Sequence, residues 1–237
     1  MLEIINFSKA YKNGRKAVNN ISLTVNNGEI FAFIGHNGAG KTTTIKSIVG
    51  ILEFEEGDIL IDGISIKKDP ISCKKNMAYI PDNPDIYESL TGIQYLNFIS
   101  DIFNVSKNDR ENSIQYYADK FEITNFLGDL ISSYSHGMKQ KLVLISALLH
   151  KPKLLILDEP FVGLDPKASH LLKEEMKALC REGVSIFFST HVLEVAEKLS
   201  DKVAIIKDGV IVSQGRMEAV KGNSSLEDIF MELIDNE

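Results

Sequence analysis

Along most of the chain, short apolar runs typical of buried strands alternate with segments whose apolar residues have helical spacing. Three short runs rich in apolar residues, at positions 30–34, 153–157 and 184–190, are typical of strands buried on both faces. Segments with apolar residues at helical spacing follow, at 41–52 and after Pro166. Strands that alternate with helices predict an α/β fold with a mostly parallel sheet.

Two Asp-Gly pairs predict tight hairpins outside these runs. Asp62-Gly63 and Asp208-Gly209 each lie between two short strand-like segments, and this dipeptide suits a two-residue hairpin turn. Residues 21–25 alternate apolar and polar side chains, as a half-buried strand does. We therefore expect these pieces to form an antiparallel sheet beside the parallel, doubly wound core.

A helical segment interrupts the α/β pattern in the middle of the chain. Thr91 and Gln94 have the spacing of a capping box, and two stretches of helical periodicity follow. We predict one domain over residues 1–237, with a helical subdomain inserted at about 83–145 and a short C-terminal helix at about 224–235.

Composition and charge narrow the classes of function. The 237 residues include 44% hydrophobic residues, which is ordinary for a globular protein. A net charge of −7 argues against sequence-independent binding to nucleic acid, which needs a basic surface, so we expect no nucleic-acid partner. No apolar run is long enough to span a bilayer and no signal-peptide pattern is visible, so we expect a cytoplasmic protein. Cys73 and Cys180 lack metal-type spacing and are expected to be reduced packing residues.

A glycine-rich loop lies between the first apolar strand and the helix after it. Its spacing, G-x-x-x-x-G-K-T, and this context are those of a loop that binds the phosphates of a nucleoside triphosphate. Backbone N–H groups form the anion site, and the helix dipole adds to it. Lys41 can reach the β- and γ-phosphates, and Thr42 can offer its hydroxyl to Mg²⁺. The predicted phosphate-binding residues are Gly35, His36, Asn37, Gly38, Ala39, Gly40, Lys41, Thr42 and Thr43.

Two carboxylates end the second buried run, and a histidine ends the third. In an open parallel sheet, ligands bind beyond the carboxyl ends of the strands. Asp158 can hold hydrated Mg²⁺, and Glu159 can orient and deprotonate a water molecule. His191 is either structural or, at such a strand end, a hydrogen-bond partner of the γ-phosphate.

Two other features leave their roles open. Tyr11 either stacks on an adenine ring or closes a hairpin. Ser135 and Gly137 precede a helix, where they form either an ordinary N-cap or a second anion site. One nucleotide rarely needs two phosphate-binding helix N-termini from the same chain.

Taken in order, these motifs resemble those of the ATP-binding subunit of an ABC transporter, over essentially the whole chain. The order is more specific than the glycine loop alone. The matching stretches are Tyr11, GHNGAGKTT, YIPD, YSHGMKQK, LLILDEP, GLDP and STH.

The resemblance implies roles for the residues left open. Tyr11 matches the position that stacks on adenine, and Ser135 and Gly137 match the signature that contacts the γ-phosphate of ATP on the opposite subunit. It implies a head-to-tail dimer with a second ATP-binding subunit, identical or different, and two ATP molecules between them. Asp165 would lie at that interface, and His191 would sense the γ-phosphate.

Two positions depart from the family's usual pattern. The common signature is Leu-Ser-Gly-Gly-Gln, whereas residues 134–138 read Tyr-Ser-His-Gly-Met, and Met138 cannot replace the glutamine's hydrogen bonds. Asp82 stands where the family usually has a glutamine. An aspartate can accept a hydrogen bond from a metal-bound water, so Asp82 joins Thr42 and Asp158 as a candidate Mg²⁺ site residue.

The resemblance implies an ATPase that works on a membrane-spanning permease subunit, peripheral on the inner face of the cell membrane. The sequences of the glycine loop and signature are most similar to those of export-type systems. We expect residues 83–133, which are rich in aromatic residues, to dock the permease. The alternatives are a soluble ABC ATPase acting on ribosomes or DNA, and a small-molecule kinase or GTPase. ABC ATPases that act on ribosomes or DNA usually have paired domains or long coiled coils. In a small-molecule kinase or GTPase, the signature would have no role.

Overall fold

The computed structural model describes residues 1–11, 14, 16–83 and 85–235. The strands are β1 (Leu2–Ala10), β2 (Lys16–Val25), β3 (Ile30–Ile34), β4 (Glu56–Ile61), β5 (Ile64–Ser65), β6 (Met77–Ile80), β7 (Leu154–Asp158), β8 (Ser185–Thr190), β9 (Lys202–Lys207) and β10 (Val210–Arg216). The helices are α1 (Lys41–Ile48), α2 (Pro70–Lys75), α3 (Gly92–Ile102), α4 (Lys107–Lys120), α5 (His136–Leu148), α6 (Pro166–Arg181), α7 (Leu193–Leu199), α8 (Met217–Lys221) and α9 (Leu226–Asp235).

The central sheet has the order β10-β9-β3-β8-β7-β6, and its strands are parallel except for β10 at the edge. All five residues of β3 are buried, and they alternate between two cores. Phe31 and Phe33 face the core shared with the antiparallel sheet, while Ala32 and Ile34 face the core shared with α5 and α6. The predicted α/β fold with a mostly parallel sheet is confirmed.

A second sheet, with the order β2-β1-β4-β5, is antiparallel throughout. The Asp62-Gly63 hairpin belongs to it, as predicted. The Asp208-Gly209 hairpin forms, but its assignment to this sheet is wrong, because β9 pairs in parallel with β3. Residues 203–206 are all buried, and in the central sheet they are covered on both faces, since they alternate between the two cores.

The predicted helix at 41–52 is shorter in the structure. α1 ends at Ile48, because the N–H groups of Ile51 and Leu52 both donate to the carbonyl of Lys46 and close the helix. α9 begins near the predicted position, with Leu226 fully buried.

The helical segment packs on the face of the sheet opposite β1 and β2. The capping box of Thr91 and Gln94 forms as predicted and begins α3. α4 is joined to α6 by an ion pair between Lys120 and Glu175, whose carboxylate is buried. In the described part of the chain, no helix has the apolar length that a membrane span needs.

Candidate nucleotide site at the carboxyl ends of the parallel strands

The glycine loop connects β3 to α1 and leaves the N-terminus of α1 open. Gly40 caps the helix with a φ of +113°, and a Cβ there would lie 2.7 Å from the carbonyl oxygen of Ala17, so only glycine fits. The Thr44 hydroxyl donates to the Gly40 carbonyl at 3.0 Å. The first turn carries no acidic residue, so the positive end of the helix dipole is free to attract an anion.

Lys41 lies inside the loop rather than in solvent. Its Nζ donates to the carbonyl of Gly35 at 2.7 Å and to that of His36 at 3.3 Å, and only 7% of the residue is exposed. The same Nζ lies 3.6 Å from Oε1 of Glu159. The ammonium group is therefore held next to the loop where phosphates would bind, within range of a carboxylate.

Asp158 ends β7 and is 3% exposed. Its Oδ1 accepts a hydrogen bond from Ser189 Oγ at 2.5 Å, and the Thr42 side chain lies near the same carboxylate. Burial raises the pKa of Asp158, and the negative charges of Glu159 and Asp82 raise it further. A carboxylate whose ionised form is disfavoured by burial and by neighbouring negative charge is stabilised by a bound cation.

The oxygens of Thr42 and Asp158 therefore suit Mg²⁺, with Asp82 close enough to affect the same carboxylate. Among the described residues, no three His, Cys, Asp or Glu side chains are grouped so that they could hold a metal ion by themselves. When bound, Mg²⁺ would neutralise charge on the transferred phosphoryl group.

Glu159 is fixed by bonds from β8 and the residue that follows it. Its backbone has a φ of +50°, and its N–H donates to the carbonyl and the hydroxyl of Ser189 at 3.2 and 3.1 Å. Its Oε2 accepts from the backbone N and the Nδ1 of His191 at 3.2 and 2.9 Å. The structure thus brings the two predicted catalytic side chains together. It also holds Glu159 in an unfavourable backbone conformation, whose cost the surrounding contacts offset.

Ser189 is the site residue that sequence reasoning missed. It bonds to both Asp158 and Glu159, and it lies opposite Asp158 in the pairing of β7 with β8. Its position two residues before His191, at the end of a buried strand, was the available signal.

Tyr11 and His36 lie at the outer edge of the loop. The Tyr11 hydroxyl is 3.2 Å from Thr43 Oγ1, and 46% of the residue is exposed, which leaves the ring accessible to a ligand. His36 Nδ1 lies 2.8 Å from the Asn37 carbonyl oxygen, and its Nε2 lies 3.8 Å from Oδ1 of Asp208 in the β9–β10 hairpin.

Ser135 and Gly137 are not brought to the glycine loop. Ser135 caps α5, accepting from the N–H of Met138 at 3.3 Å, and is exposed. Met138 packs partly buried against the core. No hydrogen bond within the described chain joins either residue to positions 35–43. The chain therefore presents two separate helix N-termini that can bind anions.

The sequence pattern of the ABC transporter family matches residues 18–162. The chain belongs to this family. EcsA of Bacillus subtilis, an ABC-type transporter ATP-binding protein, is 34% identical over 219 residues, which cover 90% of this chain and 89% of EcsA. The SkfA peptide export ATP-binding protein SkfE of the same organism is 35% identical over 90% of this chain and 87% of its own length.

A solved structure of the ATP binding subunit of an ABC transporter superposes with a TM-score of 0.95 at 34% identity and covers 99% of both chains. The predictions of an ABC-type ATP-binding subunit and of ATPase activity are confirmed. Family members of this kind dimerise and work with membrane permeases. The roles of the individual site residues stay predictions.

Proposed function

We propose that this chain powers transport, with export favoured, as one half of a head-to-tail dimer that encloses two ATP molecules. The observation that carries the proposal is the separation of the two anion-binding helix N-termini, at Lys41 in α1 and at Ser135 in α5. A second subunit placed head to tail brings each signature to the nucleotide held by the other glycine loop.

The site residues then have distinct tasks. Lys41 exchanges the carbonyls of Gly35 and His36 for phosphate oxygens. Glu159, oriented by His191, accepts the proton of the attacking water. ATP stabilises the closed dimer because it contacts both subunits, and loss of the γ-phosphate removes that differential affinity.

A mixture of two inactive variants tests the dimer. Lys41→Ala removes the phosphate contact of the glycine loop, and Ser135→Arg blocks the signature. A mixed dimer has one composite site without either change, so random pairing should restore about a quarter of the sites. ATP-driven association, followed by light scattering, should reappear in the mixture, while Ser132→Arg, at another exposed serine, associates normally alone. A mixture that associates no better than its components would overturn the head-to-tail geometry.

We infer that the permease docks on the helical insertion. A groove of about 390 Å³ lies between α3, α5 and the edge of the sheet. Exposed Tyr87 and Phe98 form an edge-to-face pair, with ring centroids 5.6 Å apart, on the same segment. Tyr95 lines this groove but is buried, so most of its ring packs within the insertion. The residues that line the groove include Tyr79, Ile86, Tyr95, Ile99, Phe103 and His150.

Charge substitutions test this surface. Tyr87→Asp or Phe98→Asp should weaken binding of the permease by about 2 kcal/mol, roughly 30-fold, because aromatic anchors dominate interface energies. Met231→Asp changes an exposed apolar side chain on α9, outside the insertion, and should leave binding intact. Co-purification of the permease in detergent, alongside ATP binding, measures both effects. Retained binding in the first two variants would place the docking surface elsewhere.

Docking of this kind places the chain on the inner face of the cell membrane. The export direction is supported by the likeness to SkfE, whose name records peptide export. Inside-out vesicles containing the permease should take up the substrate when ATP is added outside. ATP-driven loss of preloaded substrate from such vesicles would show import instead.

A further inference from the structure

The first turns of α5 hold the loop that follows Glu159. Gln140 Nε2 donates to the carbonyl of Val162 at 2.6 Å. His136, one turn earlier on the same face, lies directly against Gly163: a Cβ on Gly163 would be 2.7 Å from Cδ2 and 2.8 Å from Nε2 of the ring. Two side chains of the signature helix thus fix the middle of this loop.

The loop is also short and fixed at both ends. The Val162 N–H donates to the Glu159 carbonyl at 3.2 Å, which closes a turn directly on the predicted catalytic residue. Asp165 caps α6 through the N–H of Ala168 at 2.8 Å. Because so few residues separate these anchors, a displacement of Val162 has to be passed to the backbone of Glu159, which already has a φ of +50°.

Gln140 would be energetically unfavourable at its buried position if it only filled space there. It is 9% exposed, and in the described structure its Oε1 is buried without a hydrogen-bond partner. An apolar side chain of the same size would avoid the cost of that unpaired atom. Nε2 and its bond to Val162 are what the glutamine provides. A cavity of about 20 Å³ beside Gln140 and Glu159 leaves room for the contact to shift.

We propose that His136 and Gln140 are positioning residues, which transmit engagement of the signature to Glu159 of the same subunit. When ATP of the opposite subunit binds at Ser135, the first turn of α5 moves Val162 and Gly163, and this sets the carboxylate of Glu159 over its own nucleotide. Occupation of one composite site thereby permits hydrolysis in the other. The inference rests on the head-to-tail dimer proposed above.

Gln140→Met tests the hydrogen bond with little change in volume. We expect kcat for ATP hydrolysis to fall at least 10-fold and its dependence on ATP to lose cooperativity. KM and the ATP-driven dimer, followed by light scattering in the Glu159→Gln background, should be unchanged. Gln115→Met removes an exposed glutamine of α4 and should change nothing.

The His136 contact is tested by a pair of variants. Gly163→Ala pushes a methyl group into the His136 ring and strains a φ of +78°, so kcat should fall. Gly63→Ala, at a φ of +76° with no atom within 4 Å, carries the backbone strain alone and should retain kcat. His136→Ala alone should also lower kcat, and the double variant with Gly163→Ala should fall no further than the single variants, because both changes disturb the same contact.

A normal kcat in Gln140→Met, or loss of dimerisation in proportion to kcat, would overturn the inference, since the second result indicates a structural role only. A normal kcat in His136→Ala would remove His136 from it. If Glu159→Gln alone forms no dimer with ATP, the dimer itself fails, and this inference fails with it.

Discussion

Glu159→Gln changes the chemistry at the centre of the site with almost no change in shape. The Oε2 of Glu159 accepts two hydrogen bonds from His191, and a glutamine oxygen can accept the same two. What the variant loses is the negative charge and the capacity to take a proton.

The two losses act on different steps. Removing a general base slows reactions by about 10²–10⁴-fold, which is about 2.7–5.5 kcal/mol of barrier. The charge acts on binding, because Glu159 Oε1 lies 3.6 Å from Lys41 Nζ. Opposite unit charges about 4 Å apart attract by about 4 kcal/mol at an effective dielectric of about 20. The carboxylate thus competes with phosphate for the ammonium group, and ATP affinity should be equal or higher without it.

Three measurements separate these effects. Phosphate release should fall at least 100-fold, within the range for a lost general base. Titration with ATP should show undiminished affinity, and light scattering should show an ATP-dependent doubling of mass, because the step that separates the dimer is blocked. Glu194→Gln, an exposed carboxylate of α7 paired with Lys198, should hydrolyse ATP normally.

Hydrolysis at the normal rate by Glu159→Gln would show that another group takes the proton. Slow hydrolysis together with weaker ATP binding would show instead that Glu159 mainly supports the loop around Lys41. Either result would refute the role given to it here.

Two other predictions concern stability. Lys120→Met leaves the buried carboxylate of Glu175 without its cation and should lower the free energy of unfolding by about 2–4 kcal/mol. Lys177→Met breaks an exposed ion pair on α6 and should lower the free energy of unfolding by less than about 0.5 kcal/mol. Urea titration measures both variants, and an equal loss of stability in the two would contradict the argument. Burial lowers the pKa of His150 in the folded protein, so the unfolded state binds the proton more readily. As the pH decreases below the ordinary histidine pKa of about 6.5, the folded protein therefore loses stability. Thermal melting between roughly pH 7.5 and 5.5 should show a smaller fall for His150→Gln, and an identical slope would refute it.

Local patterns were enough to predict the glycine loop, because burial of β3 and the spacing of the glycines are both local properties. They could not place β9. Asp208-Gly209 specifies a turn, but the sheet that receives the hairpin depends on pairing with β3, about 170 residues away in the chain.

The geometry of Glu159 was also beyond sequence reasoning. Its left-handed backbone contradicts the ordinary preference of glutamate, and it is held by Ser189, thirty residues later. Sequence spacing predicted which carboxylates end β7, whereas the bonds that orient them come from the neighbouring strand.

α5 begins at the signature and ends beside the proposed docking groove, which Val143, Ser146 and Ala147 line. Its 13 residues form a rod roughly 20 Å long. A tilt of about 10° at one end of such a rod moves the other end by about 3–4 Å. In the proposed dimer this helix would act as a lever: a tilt of that size, started by a phosphate at Ser135, would displace the residues of the proposed docking groove by about 3–4 Å with no change inside the helix itself.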